Sequence, residues 1–279
     1  MSNDTSDSIF HNICISHPDS SQITGLRELW KHTFGDSDAF LDAFFETAFS
    51  PKRTFCVTIN TLVVGALYWF DCEFSNQKIA YIYAVATAKN YRGQRICHTL
   101  MTHTHQYLKA SGYAGAILSP AEESLFHFYG KMGYKTCAYA NELHYTNKQN
   151  LVSSIKIQKI SKEEFAKLRR EFLPPDAVLQ EHENLDFLEK EAEFYIGKDF
   201  LLTAQIIEKY EETNTGTRME KHLLGIELLG DTSIFPSILT FFGCTSGEFR
   251  TIGNEKAIGM YHSFTNTTLE PAYLGFIFD

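Results

Sequence analysis

Residues 81–97 constrain this chain more than any other stretch of it. The run Tyr81-Ile82-Tyr83-Ala84-Val85-Ala86 is apolar throughout and short, as a buried strand requires. A polar turn follows over 87–94, and an amphipathic helix opens at Arg95-Ile96-Cys97. A strand that hands over to a helix through Tyr91-Arg92-Gly93-Gln94 leaves free backbone N–H groups at the helix start. Such a nest, with an arginine beside it, suits a phosphate or pyrophosphate.

About thirty residues later comes Leu125-Phe126-His127-Phe128-Tyr129-Gly130-Lys131-Met132-Gly133-Tyr134, which reads as a short helix ending in a glycine-based turn. Together the two segments resemble the signature segments of the GCN5-related N-acetyltransferase (GNAT) superfamily, which hold acetyl-coenzyme A. The family loop runs Arg/Gln-x-x-Gly-x-Gly/Ala, and this chain offers Arg92-Gly93-Gln94-Arg95-Ile96-Cys97. The arginine and first glycine match. Arg95 stands where the family has a second glycine and Cys97 where it has a third small residue. Glycine lets the backbone approach the pyrophosphate closely, whereas the Arg95 guanidinium can itself pair with a phosphate.

The resemblance implies an α/β acyl-CoA N-acyltransferase fold, a mixed sheet with splayed central strands. It also implies the site. The pantetheine arm of acetyl-CoA would lie along the fourth strand, 79–86, against Tyr83, Ala84 and Val85, pairing as an added strand would. The backbone N–H near Val85 would stabilise the oxyanion. The diphosphate would meet the amides of Gly93, Gln94, Arg95, Ile96 and Cys97, with Arg92 nearby. Tyr129 matches the tyrosine that protonates the departing sulfur, since a phenol of pKa about 10 keeps its proton at neutral pH. The alternative for Tyr129 is a core aromatic among Phe126 and Phe128. Ser124 matches a cofactor contact, or else caps the short helix. Cys97 is either a thiol activated by a helix N-terminus or a small residue tolerated at a tight contact. For a general base the residues leave Asp71, Glu73, Glu122 and Glu123 open.

The Tyr-Gly-Lys-Met-Gly-Tyr run is also similar to that of the enhanced-intracellular-survival (Eis) acetyltransferases, in which a chain-terminal carboxylate reaches the active site. That likeness implies the same role for Asp279; the ordinary alternative is a last strand over 273–279.

The elements around these segments follow from periodicity. Ile23, Leu26, Leu29 and Trp30, then Phe40, Leu41, Phe44, Phe45 and Ala48, recur at helical spacing, with Ser37 capping the second helix. Strands are expected over 12–16, 54–59, 62–70, 78–86, 115–118 and 136–145, and helices from 96 and over 124–131. A polar stretch, 147–150, reads as a linker between a cofactor-binding domain (1–146) and a second domain (151–279).

The second domain reads either as a repeat of the same plan, a degenerate GNAT-like copy, or as an unrelated α+β accessory. It offers a strand at 155–160, a capping box at Ser161-Lys162-Glu163-Glu164, helices after 161 and over 183–195, and a strand at 200–207. A charged loop at 208–220, a strand at 222–229, a turn at 230–233 and a helix at 235–242 follow. Asp231 sits where a phosphate cradle would offer arginine and bare amides.

Residues 1–150 carry 12 Lys+Arg against 13 Asp+Glu, and the remainder 13 against 21. No basic stripe exists for nucleic acid, and an acidic second half either is solvated surface or favours a cationic acceptor. The six cysteines show no C-x-x-C spacing, and His98, His103 and His105 form no two-ligand face, so neither a disulfide framework nor a metal is expected. No apolar run reaches membrane-span length, and residues 1–8 lack the basic-then-apolar pattern of a leader. A disordered tail and a cytoplasmic protein are the expectations. The reading is an N-acetyltransferase acting on a primary amine, cationic if the acidic half selects it. Its rival is a non-catalytic acyl-CoA-binding or regulatory module.

Overall fold

The computed structural model describes residues 13–146, 155–213 and 216–278. The first half runs β1 (Ile13–Ser16), α1 (Ile23–Phe34), α2 (Asp38–Thr47), β2 (Thr54–Ile59), β3 (Leu62–Phe74) and β4 (Gln77–Thr87). It continues through α3 (Ile96–Ala110), β5 (Gly115–Leu118), α4 (Glu123–Gly130) and β6 (Lys135–Thr146). This is the order expected from periodicity. Ser37 caps α2 by accepting the Phe40 amide at 3.1 Å. Two tight turns, Asn60-Thr61 and Ser75-Asn76, place both central residues at positive φ and so fold β2, β3 and β4 into a meander.

The second half runs β7 (Gln158–Ile160), α5 (Lys162–Phe172), β8 (Leu179–Gln180), α6 (Glu183–Glu191) and β9 (Glu193–Ile196). Then come β10 (Phe200–Thr213), β11 (Gly216–Gly230), α7 (Phe235–Phe242), β12 (Ser246–Ile252) and β13 (Lys256–Ser263). Ser161 caps α5 through the Glu164 amide, as its capping box predicts. Three expectations give way. The charged segment 208–220 is no loop: β10 and β11 stay paired from Phe200↔Gly230 to Thr213↔Gly216. Beyond Ala204 β10 has no β9 partner, so this end of the hairpin pairs chiefly with itself and needs no apolar alternation. The helix expected over 183–195 ends at Glu191, and β9 follows. Residues 273–278 form no strand, only a bridge between Ala177 and Tyr273. The expected linker 147–150, the tail 1–8 and Asp279 lie outside the described residues.

Both halves share one sheet, in the order β1-β2-β3-β4-β5-β13-β6-β12-β11-β10-β9-β7, with β8 paired to β3. β13, from the second half, inserts between β5 and β6 of the first. The sheet has helices on both faces. On one, α1 and α2 bury Trp30, Leu41 and Phe44 against Tyr68 and Tyr83, with ring centroids of Trp30 at 5.0 and 5.5 Å from those two tyrosines. On the other, α3 packs Ile96, Leu100, Met101 and Leu108 against Val57, Leu67 and Ile82. Burial of a large side chain such as Trp30 or Leu100 contributes roughly 1.5–3 kcal/mol, so β4 is fixed from both sides and its backbone is positioned accurately.

Candidate active site

β4 is the centre of the site because it parts from β5. The two pair in parallel only over Ile79–Ile82 and Gly115–Leu118. From Ala84 to Thr87 the edge of β4 that faces β5 pairs with no strand among the described residues. The divergence coincides with a bulge: Tyr68 pairs with Tyr83 and Ala66 with Ala86, so Ala84 and Val85 both stand opposite Leu67. Ala84 sits at φ 46°, a conformation that costs a non-glycine residue about 1 kcal/mol or more. Tyr83, Ala84 and Val85 thus lie together at the start of this open backbone edge.

That edge leads to the loop. Gly93 has φ 78° with nothing within 4 Å of where a β-carbon would stand, so the glycine serves the backbone conformation and the openness of the loop surface. Arg95 takes φ 62°, ψ 9°, the left-handed conformation that glycine would adopt at no cost, and it does so as the N-cap of α3. The loop therefore keeps its shape with arginine in the glycine's place. The Arg95 side chain is exposed and makes no capping bond. The first intrahelical acceptance is by the Arg95 carbonyl, from the Thr99 amide at 2.9 Å. The amides of Gly93, Gln94, Arg95, Ile96 and Cys97 find no protein acceptor among the described residues, which leaves a helix N-terminus with its donors unspent. Arg92, exposed, donates its Nε–H to the Thr87 carbonyl at 3.1 Å, bracing the strand-to-loop junction.

Tyr129 lies on α4, buried to 7 % exposure. Burial, with the Cys97 thiol adding to it, holds its phenol well above the usual tyrosine range, so it is a proton donor and not a phenolate across neutral pH. No protein acceptor for its hydroxyl is found among the described residues. Its neighbours are Phe128 and Tyr134, the latter ring 5.9 Å away. The proximity of Cys97 places Tyr129 beside the start of α3. Cys97 itself is pushed up to about 11 by burial, so desolvation outweighs the helix N-terminus and the thiol stays protonated.

The turn after α4 has a partner that sequence reasoning missed. Gly133 (φ 91°) lets the His262 ring of β13 approach so closely that a β-carbon would meet it at 2.6 Å. His262 stacks on His105 at 4.9 Å, and the His105 Nε2 pairs with the Tyr134 hydroxyl at 2.8 Å. Burial pushes His105 down to about 4. A strand from the second half thus seats the segment that carries Tyr129. The only sequence signal was Gly133 itself.

The remaining residues fall elsewhere. Ser124 is exposed and donates to the Glu122 carboxylate at 2.7 Å, while Glu122 is the N-cap position of α4. Asp71 accepts from Tyr113 and from Lys78, 2.9 Å away, and pairs across from Ala80 at the closed end of the β4–β5 split. It belongs to a structural cluster. Glu73 lies two residues further from the open edge. None of the four candidate bases is placed against Tyr129 by a described contact.

Between the halves lies a cavity of about 490 Å³, walled by α2, α6 and the sheet face of β6, β12 and β11. Phe40, Phe187 and Phe278 give it an apolar side. Glu142, Glu191 and Glu248 give it carboxylates, but Lys256 binds Glu142 at 2.7 Å, His144 stands 3.6 Å from Glu248, and Arg250 joins them. Its polar wall is charge-mixed. Among the described residues no cluster of three or more metal-ligating side chains occurs, and no helix is long and apolar enough to cross a membrane.

Residues 15–137 match the acetyltransferase (GNAT) domain family, somewhat less than half of the chain. No curated protein matches the sequence. Solved structures do. A GCN5-related N-acetyltransferase from Anabaena variabilis superimposes with a TM-score of 0.64 at 16 % identity, over 90 % of this chain and 72 % of that one. One from Kribbella flavida gives 0.64 at 13 %, over 90 % and 70 %. Eis1 from Mycobacterium abscessus gives 0.62 at 8 %, over 90 % and 73 %. At such identities these likenesses speak for the fold, and they extend it well beyond residue 137. Residues 15–137 are similar to the GNAT acetyltransferase domain, and the chain shares the fold of these N-acetyltransferases over 90 % of its length, which together support an acyltransferase.

Proposed function

We propose that the chain transfers an acetyl group from acetyl-CoA to a primary amine. The observation that supports this best is the conjunction of an open β4 edge, a helix N-terminus with unspent amides, and a buried, protonated Tyr129. The edge at 84–87 offers the backbone groups that an extended pantetheine arm pairs with. The amides of 93–97 offer donors to its diphosphate, with Arg92 and Arg95 adding charge.

In this reading the amine lone pair attacks the thioester carbon, and a β4 amide near Val85 stabilises the oxyanion. The carbon–sulfur bond then breaks. Tyr129 gives its proton to the sulfur, and the surplus proton of the amine passes to solvent, from which Tyr129 is reprotonated. The acceptor enters from the cavity between the halves. The aromatic side of that cavity suits an amine on an apolar body, and the carboxylates of Glu191 and Glu248 attract its ammonium form, which gives one proton to solvent before the neutral amine attacks.

A second reading draws on Arg95: it brings an exposed, charged side chain to the loop where the family has glycine, which is compatible with an acyl-CoA-binding module without turnover. Steady-state assays of thiol release with a broad amine panel separate the two. The enzyme reading expects Tyr129→Phe to lower kcat by about tenfold or more with acetyl-CoA affinity unchanged. Tight acetyl-CoA binding with no turnover of any amine would favour the module.

A further inference from the structure

The segment 271–278 crosses from the second half to the first, and its course is fixed by hydrogen bonds that become buried from Tyr273 onward. The Ala272 carbonyl accepts from Tyr139, and its amide donates to Asp176, at 3.0 and 2.9 Å. The Tyr273 carbonyl accepts from Val178 at 2.9 Å. Gln180, fully buried on β8, takes the Phe276 amide at 2.8 Å and gives to the Phe276 carbonyl at 2.7 Å. The Tyr273 hydroxyl donates to Glu227, which Arg169 binds through two nitrogens at 2.6 and 2.9 Å; both charged side chains are 1 % exposed. Arg169 also lies over the Phe276 ring, 4.1 Å from its centroid.

This anchoring delivers one side chain to one place. The Phe278 ring packs against Phe70, Tyr83 and Phe187, with centroids 4.9, 5.8 and 5.2 Å away. It also lines the cavity between the halves. Tyr83 is the residue at which β4 leaves β5, immediately before the bulge. One aromatic ring therefore stands between the cavity and the strand on which the acyl group would be presented.

We propose that Phe278 is a specificity-determining residue: it is the wall past which the acceptor amine must reach, and it selects primary amines on unbranched carbon over amines whose nitrogen-bearing carbon is branched. This rests on the acetyl-transfer reading above. Phe70, Tyr83 and Phe187 all pack against the ring, so it cannot swing aside without losing that packing. An amine on a slender chain can pass beside it, whereas a branch next to the nitrogen meets the ring.

The test compares acetyl transfer from acetyl-CoA to a panel of linear and α-branched primary amines, with the isomers 2-phenylethylamine and 1-phenylethylamine as the central pair. Wild type, Phe278→Ala, Phe278→Leu and Phe278→Trp are assayed, and acetyl-CoA affinity is measured by calorimetry for each. The expected result is a wild-type preference for the linear isomer. Phe278→Ala lowers that preference by about tenfold, mainly through a lower KM for the branched amine, and Phe278→Leu lowers it less. Phe278→Trp raises it, with acetyl-CoA affinity within about twofold throughout. If Phe278→Ala fails to fold, the Leu and Trp variants still decide. An unchanged preference in active variants overturns the proposal and leaves the acetyl-transfer reading intact. A wild type that binds acetyl-CoA and acetylates no amine overturns that reading, and the proposal with it.

Discussion

Two strand–turn–helix units occupy corresponding places in the two halves: β4, its loop and α3 in the first, and β11, its turn and α7 in the second. Each strand carries a bulge and each helix leads to a strand parallel to the one before it. They differ at every point where a cofactor would touch. β4 separates from its parallel neighbour at the bulge, whereas β11 resumes pairing beyond its own, at Leu228↔Thr251. The α3 loop has free amides. In the other turn the Asp231 carboxylate accepts the Ser233 amide at 2.9 Å, and Pro236, within the first turn of α7, has no N–H to offer. Where the first bulge exposes Ala84 and Val85, the second places Glu227, neutralised by Arg169. One topology thus yields an open edge or a closed structural joint, according to whether strand pairing and side chains fill the gap. The second unit spends its bulge on holding the segment that carries Phe278.

The comparison breaks most visibly at the joint. Glu227→Ala leaves the Arg169 guanidinium buried without its partner and is expected to destabilise the fold by about 3–5 kcal/mol, measured by chemical denaturation; a loss under 1 kcal/mol would mean that the joint is dispensable. Next in size is the open edge. Gly93→Asp puts a carboxylate and a β-carbon at positive φ among the loop amides, and acetyl-CoA affinity is expected to fall about a hundredfold or more, some 2.7 kcal/mol. Asp231→Ala in the closed turn should leave that affinity unchanged.

A pH effect sharpens the role of β13. His105, held at about 4 in the fold against an ordinary value near 6.5, is protonated first in the unfolded chain. Stability is therefore fully present above pH 6.5 and is lost as pH falls from there towards 4. His105→Gln should flatten that part of the profile of Tm against pH; a variant whose acid sensitivity matches wild type would contradict it. The smallest effect concerns Arg95. Arg95→Gly removes the left-handed strain at a modest entropic cost and should raise stability by a few tenths of a kcal/mol up to about 1, a Tm gain of a few degrees at most.

The first unit was legible because its signals are local: an apolar run, a turn glycine and a helix start within seventeen residues, 81–97. The order of elements up to β6 followed from periodicity for the same reason. What escaped was non-local. Nothing in Lys256–Ser263 announces that it will pair with β5 and β6, because such pairing depends on which edge is left free by the rest of the sheet. The 208–220 segment looked like a loop because its sequence is charged and shows no alternation of apolar and polar residues. Glu227 and Arg169 could not be matched in advance, since a buried ion pair 58 residues apart leaves no spacing to read. Arg95 was the informative exception: the sequence puts an arginine where the family has glycine for close approach to the pyrophosphate, and the backbone there adopts the left-handed conformation that glycine favours.

The most direct test of the contrast between the units is calorimetric titration of acetyl-CoA into wild type, Gly93→Asp and Asp231→Ala. The account predicts micromolar binding by wild type and by Asp231→Ala, at one site per chain, and none by Gly93→Asp. Absence of binding by the wild type, or binding that survives Gly93→Asp, would contradict it.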